Sequence, residues 1–321
     1  MNLERPGKET LGETILRIED LARRDPGGRG LSGRASPGAL GPAAFELLAS
    51  RRVAIVTGFC VRSAGIGETD GPPGALALAG ALRILGKKTA LITDRYSLTL
   101  LRVGAKHLGT PFRALELPEL QPEADAALDR FVSAFKPTHV VALERPGSAP
   151  DGHRYSMRGE ILDDVAPAAD RLFSPDPGRG WVTLAVGDGG NELGMGGLRE
   201  TLKAEVSRGD LIFCASPADH TLACGISNWG GYALAAALSL LSGVLLLRTP
   251  DQERALLAAL VEAGAVDGCT REKGLSVDGL TWEKYAETLH GMYDLASGAL
   301  SARKRGPDTS TGDGGGPWKS T

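Results

Sequence analysis

The fold class this sequence predicts is α/β: a doubly wound, mostly parallel, Rossmann-like sheet with helices on both faces and extra helices at the C-terminus. Three observations carry it. Short apolar runs such as Val53-Ala54-Ile55-Val56 are continuous rather than alternating, as in strands buried on both faces. Segments with helical spacing or small-residue composition separate them. Acidic residues gather where the runs end: Glu68 and Asp70 after the first, Asp94 after the second, Glu144 and Asp188 after later ones.

The elements follow in order. Leu11, Ile15, Ile18 and Leu21 share one face of a helix over 9–24, which Asp25-Pro26-Gly27-Gly28 stops. A short helix over 42–49 leads into a strand over 53–59. Then come a helix over 74–85, a strand over 89–93, a helix over 97–108, a strand over 112–117, a helix over 122–135 and a strand over 139–143. Past a long irregular segment the pattern predicts a helix over 165–173, a strand over 182–186, a helix over 198–206, a strand over 211–215, a helix over 230–241 and a last strand over 244–247. Helices over 250–263 and 282–300 close the chain. Residues 1–301 read as one domain, with 8–50 as its N-terminal helical extension. Residues 302–321, rich in Gly, Ser, Thr and Lys, read as a disordered tail.

With 321 residues and 42% hydrophobic content the chain can fill a substantial core. Thirty-six basic against 39 acidic residues leave a formal net charge of -3, and aromatics are 5%. Neither a polyanion partner nor a stacking surface for single strands fits that balance, so no nucleic acid is expected. No segment has the length and apolarity of a membrane span or a secretory leader, so no membrane association is expected. Four scattered cysteines without a C-x-x-C pair suit reduced thiols and a cytoplasmic placement.

In a parallel sheet the carboxyl ends of the strands share one rim, so the strand-end acids converge on one crevice together with loop arginines. Each has a plainer role to weigh. Asp94 at a strand end is first an N-cap for the next helix. Asp188, in Gly187-Asp188-Gly189-Gly190-Asn191-Glu192, is first a glycine-turn residue, although that glycine density also admits a ligand close to the backbone. The loop from Glu144 to Gly159 is too long for a passive connection. Its one histidine, His153, reads as solvated before it reads as catalytic; His220 reads as a helix cap or a residue near the cleft.

The stretches Val56-Thr57-Gly58-Phe59, Glu68-Thr69-Asp70-Gly71-Pro72-Pro73-Gly74-Ala75, Glu144-Arg145-Pro146-Gly147, Tyr155-Ser156-Met157-Arg158-Gly159 and Gly187 to Gly196 together resemble the D-glutamate cyclase C-terminal domain family. The likeness extends to Ile18-Glu19-Asp20-Leu21 and Arg29-Gly30-Leu31 in front, and to Gly264-Ala265-Val266-Asp267-Gly268 and Leu275-Ser276-Val277-Asp278-Gly279 behind. It implies a hydro-lyase that cyclises D-glutamate to 5-oxo-D-proline and water. In animal members of that family the unit is fused to a separate N-terminal hydro-lyase-like domain, which these residues do not contain.

That reaction needs a held α-carboxylate, a base for the ammonium and an acid for the departing hydroxide. Position assigns Glu68, Asp70, Glu144, Asp188 and Glu192 to acid and base work. Arg145 or Arg158 is the carboxylate clamp. Thr57, Gly58, Thr69, Gly71, Gly189, Gly190 and Asn191 line the substrate, the last three as oxyanion donors. No cofactor is fixed by a motif; an oxygen-ligated Mg²⁺ or Mn²⁺ on Asp70, Asp188 and Glu192 is an alternative, as is a module that binds an amino acid or nucleotide without turning it over. The expected partner is a small acidic amino acid, with homo-oligomerisation left open.

Overall fold

The computed structural model describes residues 10–174 and 179–304. Six strands form one parallel sheet: β1 (Arg52–Thr57), β2 (Lys88–Thr93), β3 (Arg113–Glu116), β4 (His139–Leu143), β5 (Val182–Gly187) and β6 (His220–Ala223). Their spatial order is β3-β2-β1-β4-β5-β6, the doubly wound arrangement predicted above. β1 lies at the centre, Val53 paired with Thr89 on one side and with His139 on the other.

The strand period of two divides the core. Val53 and Ile55 pack on one face of the sheet, Ala54 and Val56 on the other. The first face carries α1 (Leu11–Ala22), α2 (Leu40–Ala49), α3 (Pro72–Ile84), α4 (Arg95–His107), and, further along the chain, α6 (Ser227–Ser242), α7 (Pro250–Glu262) and α8 (Trp282–Lys304). The opposite face is covered by α5 (Gln121–Phe135) and by packed loop residues such as Phe173 and Phe213. The small-residue composition of α3, charged only at Arg83 in its last turn, has a packing cause. α3 and α6 touch backbone to backbone, and a methyl group added at Gly231 would meet the Gly74 carbonyl oxygen at 2.6 Å.

Helix starts follow their sequence signals. Thr10 with Glu13 and Thr249 with Gln252 form capping boxes on α1 and α7. Asp94 caps α4, accepting from the amides of Tyr96 and Ser97. It also pairs with Arg145, which is wholly buried and donates further to the carbonyls of Gly58 and Pro167.

Several element boundaries differ from expectation. The sixth strand is His220–Ala223, on the sheet edge beside β5, and not 211–215. Residues Gly209–Ile212 form a single helical turn, after which Cys214 and Ala215 donate their amides to the carbonyls of Gly190 and Ser148. Ile212, Phe213 and Cys214 are therefore buried under loops rather than in the sheet, with Leu211 and Ala215 exposed at either end, a distinction that periodicity does not carry. Residues 244–247 are not a strand: after the left-handed Gly243 the chain runs out to α7 with Val244 and Leu245 exposed. The helix expected over 165–173 is a 3-10 turn at Asp170–Phe173, and that over 198–206 shrinks to the short turns Gly196–Leu198 and Arg199–Leu202. α8 continues to Lys304, and the rest of the expected tail, 305–321, lies outside the described residues. Among the described residues no helix is long and apolar enough to cross a membrane.

Candidate active site

Chain direction across the sheet reverses between β1 and β4, and a crevice opens there at the carboxyl ends of the strands. It forms a cavity of ≈ 590 Å³, a volume typical of small-molecule sites. Its wall includes Glu68 from the loop after β1, Glu144 after β4 and Asp188 after β5. From outside the sheet come Arg29, Arg158 and Asp278.

Two of these side chains are placed by unusual backbone. Glu144 has φ +47, a left-handed conformation in a residue that rarely adopts it. Gly71 lies against it, and a methyl group there would come 2.8 Å from the Glu144 Cβ, so only glycine fits. Asp278 and Gly279 have φ of 52 and 78 and form the two-residue turn between Ser276–Val277 and Leu280–Thr281, as Asp-Gly pairs do in hairpins. Asp267 braces this hairpin by accepting the Gly279 amide at 2.8 Å, together with the amides of Cys269 and Thr270.

Arg29 is the hub. Its guanidinium pairs with Asp188 and, at 3.0 Å, with Asp278. Asp25 holds the loop that carries it, accepting the amides of Arg29 and Gly30. Despite this cation, Asp188 Oδ2, Asp278 Oδ2 and Glu144 Oε2 are buried without a hydrogen-bond partner in the structure. Such groups are costly unless they meet a proton or a ligand.

Burial makes the carboxyls poor acids. It pushes Asp188 up to about 6 and Asp278 up to about 7, with Arg29 opposing both shifts. Glu68 and Glu144 rise well above the usual range, first through burial and then through the neighbouring charges of Asp278 and Asp188 respectively. Burial works against the charge of Arg29, but the surrounding carboxylates outweigh it and hold the guanidinium protonated. The cavity floor thus combines a fixed cation with acids able to hold and release protons near neutrality.

A raised carboxyl pKa costs stability as pH rises. From the ordinary value of 3.8 up to about 7, folded Asp278 keeps a proton that the unfolded chain has released. Its stabilising contribution is complete below that window and lost across it. The melting temperature is expected to fall between about pH 4 and pH 7 and to fall less steeply in Asp278→Asn, by circular dichroism melts.

Not every predicted residue faces the cavity. Glu68, Glu144, Asp188, Asn191 and Arg158 do. Asp70 sits behind them with both oxygens engaged, accepting the amides of Gly71, Ser227 and Asn228, and so anchors the first turn of α6. Glu192 accepts the amides of Asp188, Gly189 and Gly190. It is therefore a brace of the glycine loop, and those two glycine amides are not available as oxyanion donors. Glu192→Ala is expected to lower stability by about 2 kcal/mol or more in denaturant titration, because three buried amides lose their acceptor.

Arg145 is not a clamp for substrate, being consumed by Asp94 and two carbonyls. Thr69 Oγ1 is spent on the Ser276 carbonyl, and the Asn191 amide nitrogen on that of Tyr155. Thr57 and Gly58 lie below the cavity, the Gly58 amide donating to the Glu144 carbonyl. His153 pairs with Asp163 at 2.6 Å, and His220 begins β6. Arg29 and Asp278 were the unassigned residues; both stand in stretches that carry the family resemblance, but nothing local marks either as part of the site.

The donor set for a cation is likewise changed. Asp70, Asp188 and Asp278 have oxygens within 4.8 Å of one another, as do Glu144, Asp188 and Glu192. Asp188 belongs to both groups. Glu192 and Asp70 each already accept three backbone amides, whereas Asp188 and Asp278 each keep an unpartnered oxygen.

Residues 18–293 match the family described as D-glutamate cyclase-like, C-terminal. The chain is also 32% identical to the human protein named D-glutamate cyclase, mitochondrial, over 89% of this chain and 52% of that protein. It thus spans about half the length of the curated relative it matches. With the match running across all six strands and every wall of the cavity, this chain belongs to the D-glutamate cyclase-like C-terminal domain family.

Proposed function

We propose that the chain is a hydro-lyase that cyclises D-glutamate to 5-oxo-D-proline and water. The observation that carries this reading is the set of unpartnered carboxyl oxygens of Asp188, Asp278 and Glu144 around the Arg29 guanidinium, at the floor of a cavity of small-molecule size. The name of the human relative points to the same substrate.

The chemistry is a proton relay. The α-nitrogen of glutamate must lose two of its three ammonium protons, attack the γ-carboxyl carbon, and expel one oxygen of that group as water. The two protons leaving nitrogen equal the two the departing oxygen needs, so charge and atoms balance without a co-reactant. Asp188 suits the accepting role, since its pKa of about 6 leaves it largely ionised near neutrality. Glu144, held protonated by burial, suits the donating role. Arg29 stabilises negative charge developing on the γ-carboxyl oxygen. Arg158, which donates to the Cys269 carbonyl at 2.9 Å, receives the α-carboxylate.

Incubation of the purified protein with D- and L-glutamate, read by mass spectrometry for loss of water, tests the proposal. Turnover of the D-isomer supports it, and no product from either isomer ends it. A second version adds a divalent cation on Asp70, Asp188 and Asp278, favoured by the two unpartnered aspartate oxygens. Bound Mg²⁺ or Mn²⁺ would polarise the γ-carboxyl. Arg29 already pairs with the other oxygen of each of these aspartates, so this version expects Mn²⁺ to bind more tightly to Arg29→Ala than to the wild type by calorimetry. Unchanged activity after exhaustive chelation excludes it.

A further inference from the structure

The cavity has two unlike ends, and the cyclisation just proposed uses only the inner one, around Arg29, Glu144 and Asp188. The outer wall carries two more arginines held by one stretch of chain. Arg62 pairs with Asp164 and donates to the Ile161 carbonyl at 2.7 Å, while Arg271 pairs with Glu160 at 3.4 Å. Ser63, Ser207, Glu160 and Glu205 line the same wall. Both guanidiniums are partly open to solvent, with side-chain exposures of 44% and 35%. A volume of ≈ 590 Å³ is in the range that encloses drug-sized ligands, well beyond a five-carbon amino acid.

We propose that the site also takes γ-glutamyl amides whose amine portion carries a carboxylate, the glutamyl part lying at the inner end and the anionic portion against Arg62 and Arg271. This rests on the cyclase reading, whose attacking nitrogen and carbonyl carbon it keeps, and changes the leaving group. The α-nitrogen bonds to the γ-carbon, the γ-carbon to amide-nitrogen bond breaks, and protons lost by the α-nitrogen pass to the departing amine. The products are 5-oxoproline and the free amine, with no water consumed or formed. An amine leaving group needs the space that the outer wall offers, and a carboxylate on it would exchange with Asp164 and Glu160 on the two solvent-open arginines, whereas hydroxide needs neither.

The test is turnover of γ-D-glutamyl-glycine and of its C-terminal amide beside D-glutamate, with 5-oxoproline and released glycine or glycinamide quantified by mass spectrometry. The expected result is release of glycine from the peptide, with the free carboxylate form preferred about tenfold in kcat/KM. The double variant Arg62→Gln, Arg271→Gln should erase that preference and leave D-glutamate turnover unchanged. Turnover of D-glutamate without cleavage of the peptide overturns the inference and leaves the cyclase reading standing. Cleavage of the peptide alone replaces hydroxide by an amine as the physiological leaving group, and equal loss of all three activities in the double variant overturns the role of the outer arginines. No turnover of any substrate removes both readings.

Discussion

Under the proposed relay, Asp188→Asn is expected to lower turnover of D-glutamate by about 10²–10⁴-fold with little loss of stability. The activity term follows from replacing a carboxylate that can accept a proton by an amide that cannot. The small stability cost follows from the surroundings of the side chain. Asp188 is 2% exposed and lies among Asp278, Glu144 and Glu192, so its ionised form is repelled as well as paired. Arg29 keeps Asp278 as a partner in the variant. Steady-state kinetics together with thermal melts separate the two effects. Full activity in Asp188→Asn removes this residue from the relay, and a collapse in melting temperature recasts it as structural.

The second large effect is expected far from the chemistry. Arg145→Met should lower folding stability by about 3–5 kcal/mol, since it strands buried Asp94 without its cation. Asp94 is 1% exposed and Arg145 is fully buried, so water cannot replace the lost partner. Arg145 also ties the Gly58 carbonyl, after β1, to the Pro167 carbonyl of the long loop after β4, so its loss loosens both sides of the crevice. The double variant Arg145→Met, Asp94→Asn should recover part of the stability, because the uncompensated charge is gone. Urea titrations of the single and double variants measure this coupling. Were Arg145 instead the clamp for substrate, Arg145→Met would raise KM with stability unchanged.

The contrast between Arg145 and Arg29 shows where sequence reasoning stops. Arg145 follows a strand and neighbours Glu144, the placement that marks a site residue, yet its side chain turns into the protein interior. Arg29 sits in a loop between two helices, before the first strand, and reaches Asp188 across 159 positions of sequence. Side-chain direction and such distant meetings are set by packing, which local pattern does not encode. The acids divide in the same way: Glu144 and Asp188 face the cavity, while Asp70 and Glu192 serve backbone amides behind it. Residue type and strand-end position are the same in both groups.

The sequence by itself determined the doubly wound sheet, its five leading strands and the rim on which the site stands, because buried parallel strands, glycine loops and helix caps each leave a local signature. It also carried the family, through ordered motifs from Ile18 to Gly279. The sixth strand, the hub at Arg29, the hairpin that delivers Asp278 and the division of the acids into those that face the cavity and those that brace backbone amides were decided only by the tertiary structure. Each depends on which distant groups share a buried volume, and there the cost of an unpartnered charge selects the arrangement.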